Sequence, residues 1–304
     1  MSTEAPRDKS RPTPPPPELP TVTRSAPPLP GKFKRIEKKT FTLEKGKKQP
    51  IIPNVVIQTV EGFGKTTIGA YAPTPLILQI GQERGYQTLL DAGSVPECFT
   101  AEIDDWKTLT DTLEDIADPK NQYDFQTLVI DSLAGAAELC RKYVCTEHFG
   151  GDWGHGTQTG YAAFSKGDNA VAPAYWRIFD SLLCKINKAG IIVIQIAHTA
   201  IEKFENPMGE EESRYTSSII PKFWEQTKRN ADVILFGKFG STREKDGTEN
   251  KDAVVERYIY AEQRDAFHAK NRFNMLPSFK LPRDPAKGWE TIWAEIHRGI
   301  KRDE

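Results

Sequence analysis

Residues 61–67 read Glu61-Gly62-Phe63-Gly64-Lys65-Thr66-Thr67, directly after the β-branched run Ile51–Gln58. Two glycines let backbone N–H groups turn inward on an anion, and a helix opening behind them adds positive potential. Lys65 then carries the charge that reaches β- and γ-phosphates, and the Thr66 hydroxyl is placed to ligate Mg²⁺. The full form of this loop has glycine where the chain has Thr59. That position starts the turn and does not touch phosphate, so the departure is tolerable. A second group of residues completes the chemistry. The apolar string Leu128-Val129-Ile130 ends in Asp131, a carboxylate brought beside the loop to hold Mg²⁺ directly or through water. Asp131 or Ser132 also suits the N-cap of the next helix. The residue after Asp131 is Ser132 and not a water-activating Glu, so the base must come from elsewhere, and Glu83, in Gln82-Glu83-Arg84-Gly85, is the candidate. Gln195 lies within a further apolar strand and His198 just past it; either could sense the γ-phosphate, or the two could form a structural polar pair.

The elements that must position these groups alternate between strand and helix. Strands are expected at Ile51–Gln58, Pro75–Ile80, Phe125–Ile130, Ile191–Ile196, Val233–Phe236 and Val254–Ala261. Helices are expected from Thr66, over Trp106–Ile116 until Asp118-Pro119, over Leu133–Val144, over Tyr175–Ile186 ahead of Gly190, and over Lys222–Arg229. The last two strands should form a hairpin across the polar stretch containing Asp246-Gly247. Such a pattern predicts an α/β fold, a mainly parallel sheet with helices on both faces and ligands at the C-terminal strand ends.

Ten of the 22 prolines fall in residues 1–30, a composition that predicts a disordered or polyproline II tail. Residues 31–50 form a basic linker arm with eight Lys/Arg against two Glu. With +1 on residues 1–30 and a net charge of −1, residues 51–304 carry −8. A polyanion would therefore meet a basic arm first and an acidic body second. The core is expected over 51–275, with a C-terminal extension at 276–304. No apolar run approaches the ~18 residues of a membrane span, and there is no apolar signal core, so a cytoplasmic protein without a membrane partner is expected. Cys98, Cys140, Cys145 and Cys184 are irregularly spaced and read as reduced thiols. The spacing Cys140…Cys145…His148…His155 does not read as a zinc site, because Cys140 lies on the apolar stripe of its helix.

Together these strings resemble the RecA-like recombination ATPases, and most closely their phage-encoded ATP-binding or single-strand annealing branch. The resemblance runs through the loop at 61–67, Glu83-Arg84-Gly85, Val129-Ile130-Asp131-Ser132, Ile196-Ala197-His198, Phe204–Pro207, Ala231-Asp232-Val233 and Ala269-Lys270-Asn271-Arg272, covering roughly residues 51–275. It implies a RecA-type core with ATP and Mg²⁺, and single-stranded DNA as partner. It also implies self-assembly into a ring or filament, in phage recombination or replication within the host cytoplasm. It further implies that segments 147–168 and 199–218 face DNA. The first holds Phe149, Trp153, Tyr161, Phe164 and Lys166, suited to base stacking. In the second, Glu202, Glu205 and Glu210–Glu212 disfavour DNA contact. Lys270 and Arg272 match a basic pair that reaches a neighbour's γ-phosphate, so the active site would be shared between subunits. The alternative is a nucleotide-gated loader or scaffold with little turnover, whose Pro-rich tail docks a single-strand-binding or other replication protein.

Overall fold

The computed structural model describes residues 50–154, 158–205, 211–240 and 255–301. The Pro-rich tail and the basic arm up to residue 49 lie outside them, as does the turn expected at Asp246-Gly247. The described residues belong to one unit that starts at Pro50.

Its centre is a ten-stranded sheet. The strands are β1 (Asn54–Thr59), β2 (Pro75–Ile80), β3 (Phe99–Ile103), β4 (Thr127–Asp131), β5 (Ile192–Glu205), β6 (Glu211–Ser217), β7 (Val233–Phe239), β8 (Arg257–Tyr260), β9 (Lys270–Asn271) and β10 (Ser278–Leu281). Across the sheet they run β10-β8-β7-β1-β5-β4-β2-β3, with β6 on β5 and β9 on β7. The six strands from β7 to β3 in that order are parallel; β8, β9 and β10 are antiparallel additions. β5 thus separates the strand leading into the phosphate loop from the strand ending in Asp131.

The helices are α1 (Lys65–Ala70), α2 (Gly85–Asp91), α3 (Trp106–Ala117), α4 (Leu133–Phe149), α5 (Ala172–Lys188), α6 (Pro221–Asn230) and α7 (Lys287–Lys301). They divide between the faces as the period-2 alternation of the strands demands. Val56, Leu78, Ile80, Leu128, Ile130 and Ile234 pack with α3, α4, α5 and α6. Val55, Ile57, Ile77, Val129, Ile194 and Leu235 pack with Ile68 of α1, Tyr86 of α2 and Trp289, Ile292 and Ile296 of α7. Both faces of the inner parallel strands β1, β2, β4 and the first part of β5 are covered, so they are apolar without alternation, whereas the edge strand β3 is largely exposed. Trp176 on α5 stacks on Phe223 of α6 with ring centroids 4.4 Å apart. None of the described helices is long and apolar enough to cross a membrane.

The stretch expected as a C-terminal extension supplies β10 to the sheet and the apolar face of α7 to the core, and two further features differ from expectation. The strand expected to stop at Ile196 continues to Glu205, and its residues 199–205 pair antiparallel with β6, so the described part of segment 199–218 is strand and not loop. The hairpin partner of β7, β8, lies one strand in from the edge, because β10 covers it.

Candidate functional site

The turn between β1 and α1 is built on two left-handed residues, Gly62 at φ 71° and Gly64 at φ 96°, a conformation that costs a side-chain-bearing residue. Gly64 stands at the N-cap of α1 with no side-chain cap, which leaves the loop N–H groups for a ligand. The threonine in place of the expected glycine is accommodated across the sheet. Thr59 pairs with Gly237 on β7, and a Cβ on Gly237 would meet Thr59 Cγ2 at 2.6 Å and the Phe63 ring at 2.8 Å. Gly237 therefore makes the room that Thr59 and the buried Phe63 occupy.

Lys65 is buried and donates from Nζ to the Thr59 carbonyl at 3.3 Å. Burial pulls its pKa below the usual lysine range, while Asp131, Glu61 and Glu83 act the other way. The Thr66 hydroxyl donates to Asp131 Oδ2 at 2.8 Å, and Asp131 is 3% exposed. Desolvation pushes the Asp131 carboxyl up to about 6 against the opposing Thr66 hydrogen bond. A hydroxyl and a buried carboxylate in contact form a hard-oxygen donor pair that fits Mg²⁺. Bound there between Thr66 and Asp131, the ion would neutralise the carboxylate and draw charge from transferring phosphate.

Glu83, on the turn after β2, reaches the same place from the neighbouring strand. Its Oε1 accepts from the Ser132 hydroxyl at 2.8 Å and lies 3.1 Å from His198 Nε2. The His198 bond, then the Ser132 bond, hold its carboxyl below the usual range against desolvation, so Glu83 is a carboxylate at neutral pH. Ser132 is thus not the base but the residue that orients it, while also capping α4 by accepting from Gly135 N. The cap can sit this close because position 135 lacks a side chain: a Cβ there would lie 2.3 Å from the Ile80 carbonyl at the end of β2.

Of the two polar residues expected on β5, the structure brings only one to the site. His198 is opposite Thr59 at the C-terminal end of the sheet. Gln195 is fully buried and donates from Nε2 to Asn54 Oδ1 at 2.7 Å, pointing toward the other end of β1, where it makes a structural pair. Lys270 and Arg272 lie away from the phosphate loop of their own chain. Lys270 pairs with Ile234 near the start of β7, whereas the phosphate loop adjoins Gly237 near its end. Lys270 Nζ donates to the carbonyls of Lys228, Arg229 and Ala231, and Arg272 pairs with Asp232 at 2.9 Å. Both side chains cap the C-terminus of α6 and are engaged within their own chain.

Sequence reasoning missed Arg257 on β8. Its Nη1 donates to the Phe63 carbonyl at 3.1 Å and its Nη2 to the Pro282 carbonyl at 2.7 Å, with the guanidinium 5.8 Å from the Phe63 ring centroid. This places a fixed positive charge against the phosphate loop from within the same chain. No local pattern marks Arg257, because its partners lie far away in sequence.

In the segment expected to stack on bases, Tyr161 is buried, and Phe149 and Trp153 pack on the core. Arg141 of α4 stacks over Trp153 and Tyr161 and pairs with Asp168 at 2.9 Å, tying the segment down. Phe164 alone among these aromatics projects outward, 80% exposed with Lys166 Nζ 5.9 Å from its ring. Cys140 and Cys145 are buried and His148 lies 2.6 Å from the Tyr175 hydroxyl, while His155 is outside the described residues.

A parallel sheet with a glycine–lysine–threonine loop after β1 and a buried aspartate ending β4 defines an α/β P-loop nucleotide-binding protein. The chain belongs to the AAA domain family (AAA_24), whose model matches residues 53–273, and ATP binding and hydrolysis are what that family and fold imply. Comparison with curated proteins returns no match. Among solved structures, a KaiC-like protein from the hyperthermophilic archaeon Pyrococcus horikoshii OT3 is similar over 77% of this chain and 87% of its own, with 12% identity and a TM-score of 0.37.

Proposed function

We propose that this protein hydrolyses ATP with Mg²⁺ while handling single-stranded DNA, by annealing or strand pairing in phage recombination or replication in the host cytoplasm. It would work as a self-assembled ring or filament. Lys65 and the loop N–H groups bind the phosphates, Thr66 and Asp131 hold the metal, and Glu83 takes the proton of the attacking water. The observation that carries this reading is the Glu83–His198 contact. His198 stands where β5 leaves β1 and enters the hairpin with β6. A strand bound against that hairpin would thus act on the base directly. Support for DNA as the ligand comes from the basic arm at 31–50 and from the exposed Phe164 beside Lys166, an arrangement suited to a stacked base and its phosphate.

The test is the salt dependence of DNA binding. Each phosphate neutralised on a single strand contributes roughly 0.7 to the slope of log K against log salt. Deleting residues 1–48 should weaken oligonucleotide binding and flatten that slope by several units, leaving ATP affinity intact. An unchanged slope would remove the arm from the DNA contact, and no oligonucleotide binding at all by the full chain would defeat the reading.

A further inference from the structure

Beside the phosphate site, toward the β3 edge of the sheet, lies a cavity of about 700 Å³ whose wall includes Gln79, Glu83, Arg84, Glu102 and Asp104. Lys65, Thr66 and Asp131 do not line it; Glu83 is shared by both sites. The floor is set by strand register. Gln79 on β2 pairs with Asp131 on β4 and with Glu102 on β3, so the three side chains project from one face in a row. Glu102 and Asp104 are exposed and have no ion-pair partner among the described residues. Gln79 is only 6% exposed, yet its amide faces this cavity without a hydrogen-bond partner among the described residues. The Gln79 stem is buried while its amide opens only onto this cavity, and here three carboxylates and that amide converge on one space against a single guanidinium.

We propose that this cavity is a second ligand site, separate from the nucleotide site, for an organic cation that carries N–H donors, an amine or a guanidinium. The cation lies between the Glu102 and Asp104 carboxylates and donates a further hydrogen bond to the Gln79 amide oxygen. Charge complementarity selects a cation, and the amide selects one with several directed donors over a bare metal ion. A free polyamine or an arginine side chain offered by a partner protein presents the same chemistry. An occupant would also meet Glu83, which makes the site a place from which hydrolysis can be tuned, should Glu83 be the base.

Calorimetric titration of the full chain with spermidine, and separately with the capped peptide acetyl-Gly-Arg-Gly-amide, tests this without reference to hydrolysis. One equivalent of at least one probe should bind. Affinity should fall tenfold or more in Glu102→Gln/Asp104→Asn, and several-fold in Gln79→Leu, with ADP affinity unchanged in both. Tighter binding of spermidine identifies a free polyamine as the source, and tighter binding of the peptide identifies a protein side chain. If Gln79→Leu does not fold, the double variant of exposed residues decides alone. The proposal is overturned if neither probe binds, if both bind the double variant as well as the native chain, or if ADP displaces the probe.

Discussion

His198 is the last residue of β5 paired with the phosphate-loop strand, opposite Thr59, and its Nε2 lies 3.1 Å from Glu83 Oε1. The next residue, Thr199, already pairs with Ser217 of the hairpin. A single side chain therefore joins the hairpin root to the carboxylate that faces the phosphate site. Glu83→Gln should lower ATP hydrolysis by about 10²–10⁴, the usual worth of a general base, with ATP affinity retained. His198→Ala should cost less in basal hydrolysis but remove any response to DNA. Equal DNA stimulation in His198→Ala and the native chain would separate the hairpin from the base.

Lys65 acts through its charge, and its side chain fills no part of either apolar core. Lys65→Ala should abolish nucleotide binding or turnover in a folded chain, read by calorimetry and circular dichroism. Normal affinity and hydrolysis in that folded variant would contradict the phosphate-loop assignment.

Arg257 fixes the loop through the Phe63 carbonyl. Arg257→Ala frees that carbonyl and removes a charge beside the site. Losing a charged hydrogen bond of about 1.5–3 kcal/mol should weaken ATP binding roughly ten- to a hundredfold. Unaltered affinity would mean that the loop holds its shape without Arg257.

Because Lys270 and Arg272 cap α6, their loss should be felt in stability. Lys270→Ala leaves the carbonyls of Lys228, Arg229 and Ala231 without their shared donor. A destabilisation of about 1–3 kcal/mol by denaturant unfolding is expected. Mixing Lys65→Ala with Lys270→Ala/Arg272→Ala should restore no hydrolysis beyond that of the folded double variant itself. Recovery upon mixing would return these residues to a neighbour's active site.

Much of this arrangement is legible in the chain itself, and the remainder fails for identifiable reasons. The inner parallel strands are buried on both faces and show as unbroken apolar runs, so the phosphate loop, Asp131 and Glu83 could be placed at strand ends. Which way a strand's polar residue points is not in that pattern. Gln195 and His198 sit on one strand three residues apart, yet one turns back to Asn54 and the other forward to Glu83. The compensation of Thr59 by Gly237, and the reach of Arg257 to Phe63, depend on partners 178 and 194 residues away. β3 carries no apolar run, because Ile103 is its only fully buried residue. The β5–β6 hairpin leaves the core, so its polar side chains read as loop. In α7, Trp289, Ile292 and Ile296 do keep helical spacing, and they close the face over α1.

Away from the nucleotide site, buried Asp180 on α5 accepts from Thr227 on α6, which in turn accepts from the Trp176 indole at 3.0 Å. Burial pushes the Asp180 carboxyl up from 3.8 to about 7. A raised carboxyl pKa means that the folded state holds its proton while the unfolded chain releases it. Its contribution is therefore fully present below about pH 4 and is lost as pH rises through about 7. Asp180→Asn should match the native chain near pH 4 and exceed it at pH 8, by up to about 4 kcal/mol at 1.36 kcal/mol per pKa unit. Urea unfolding at the two pH values reads the difference, and an equal gap at both would show that Asp180 is ionised in the fold.

The proposed function requires that ATP turnover at this site respond to single-stranded DNA. Steady-state ATP hydrolysis by the full chain with Mg²⁺, measured with and without a single-stranded oligonucleotide, tests it most directly. A low basal rate should rise on adding single-stranded DNA, more than on adding duplex, and should vanish in Glu83→Gln. A rate indifferent to DNA, or one that survives Glu83→Gln unchanged, would contradict it.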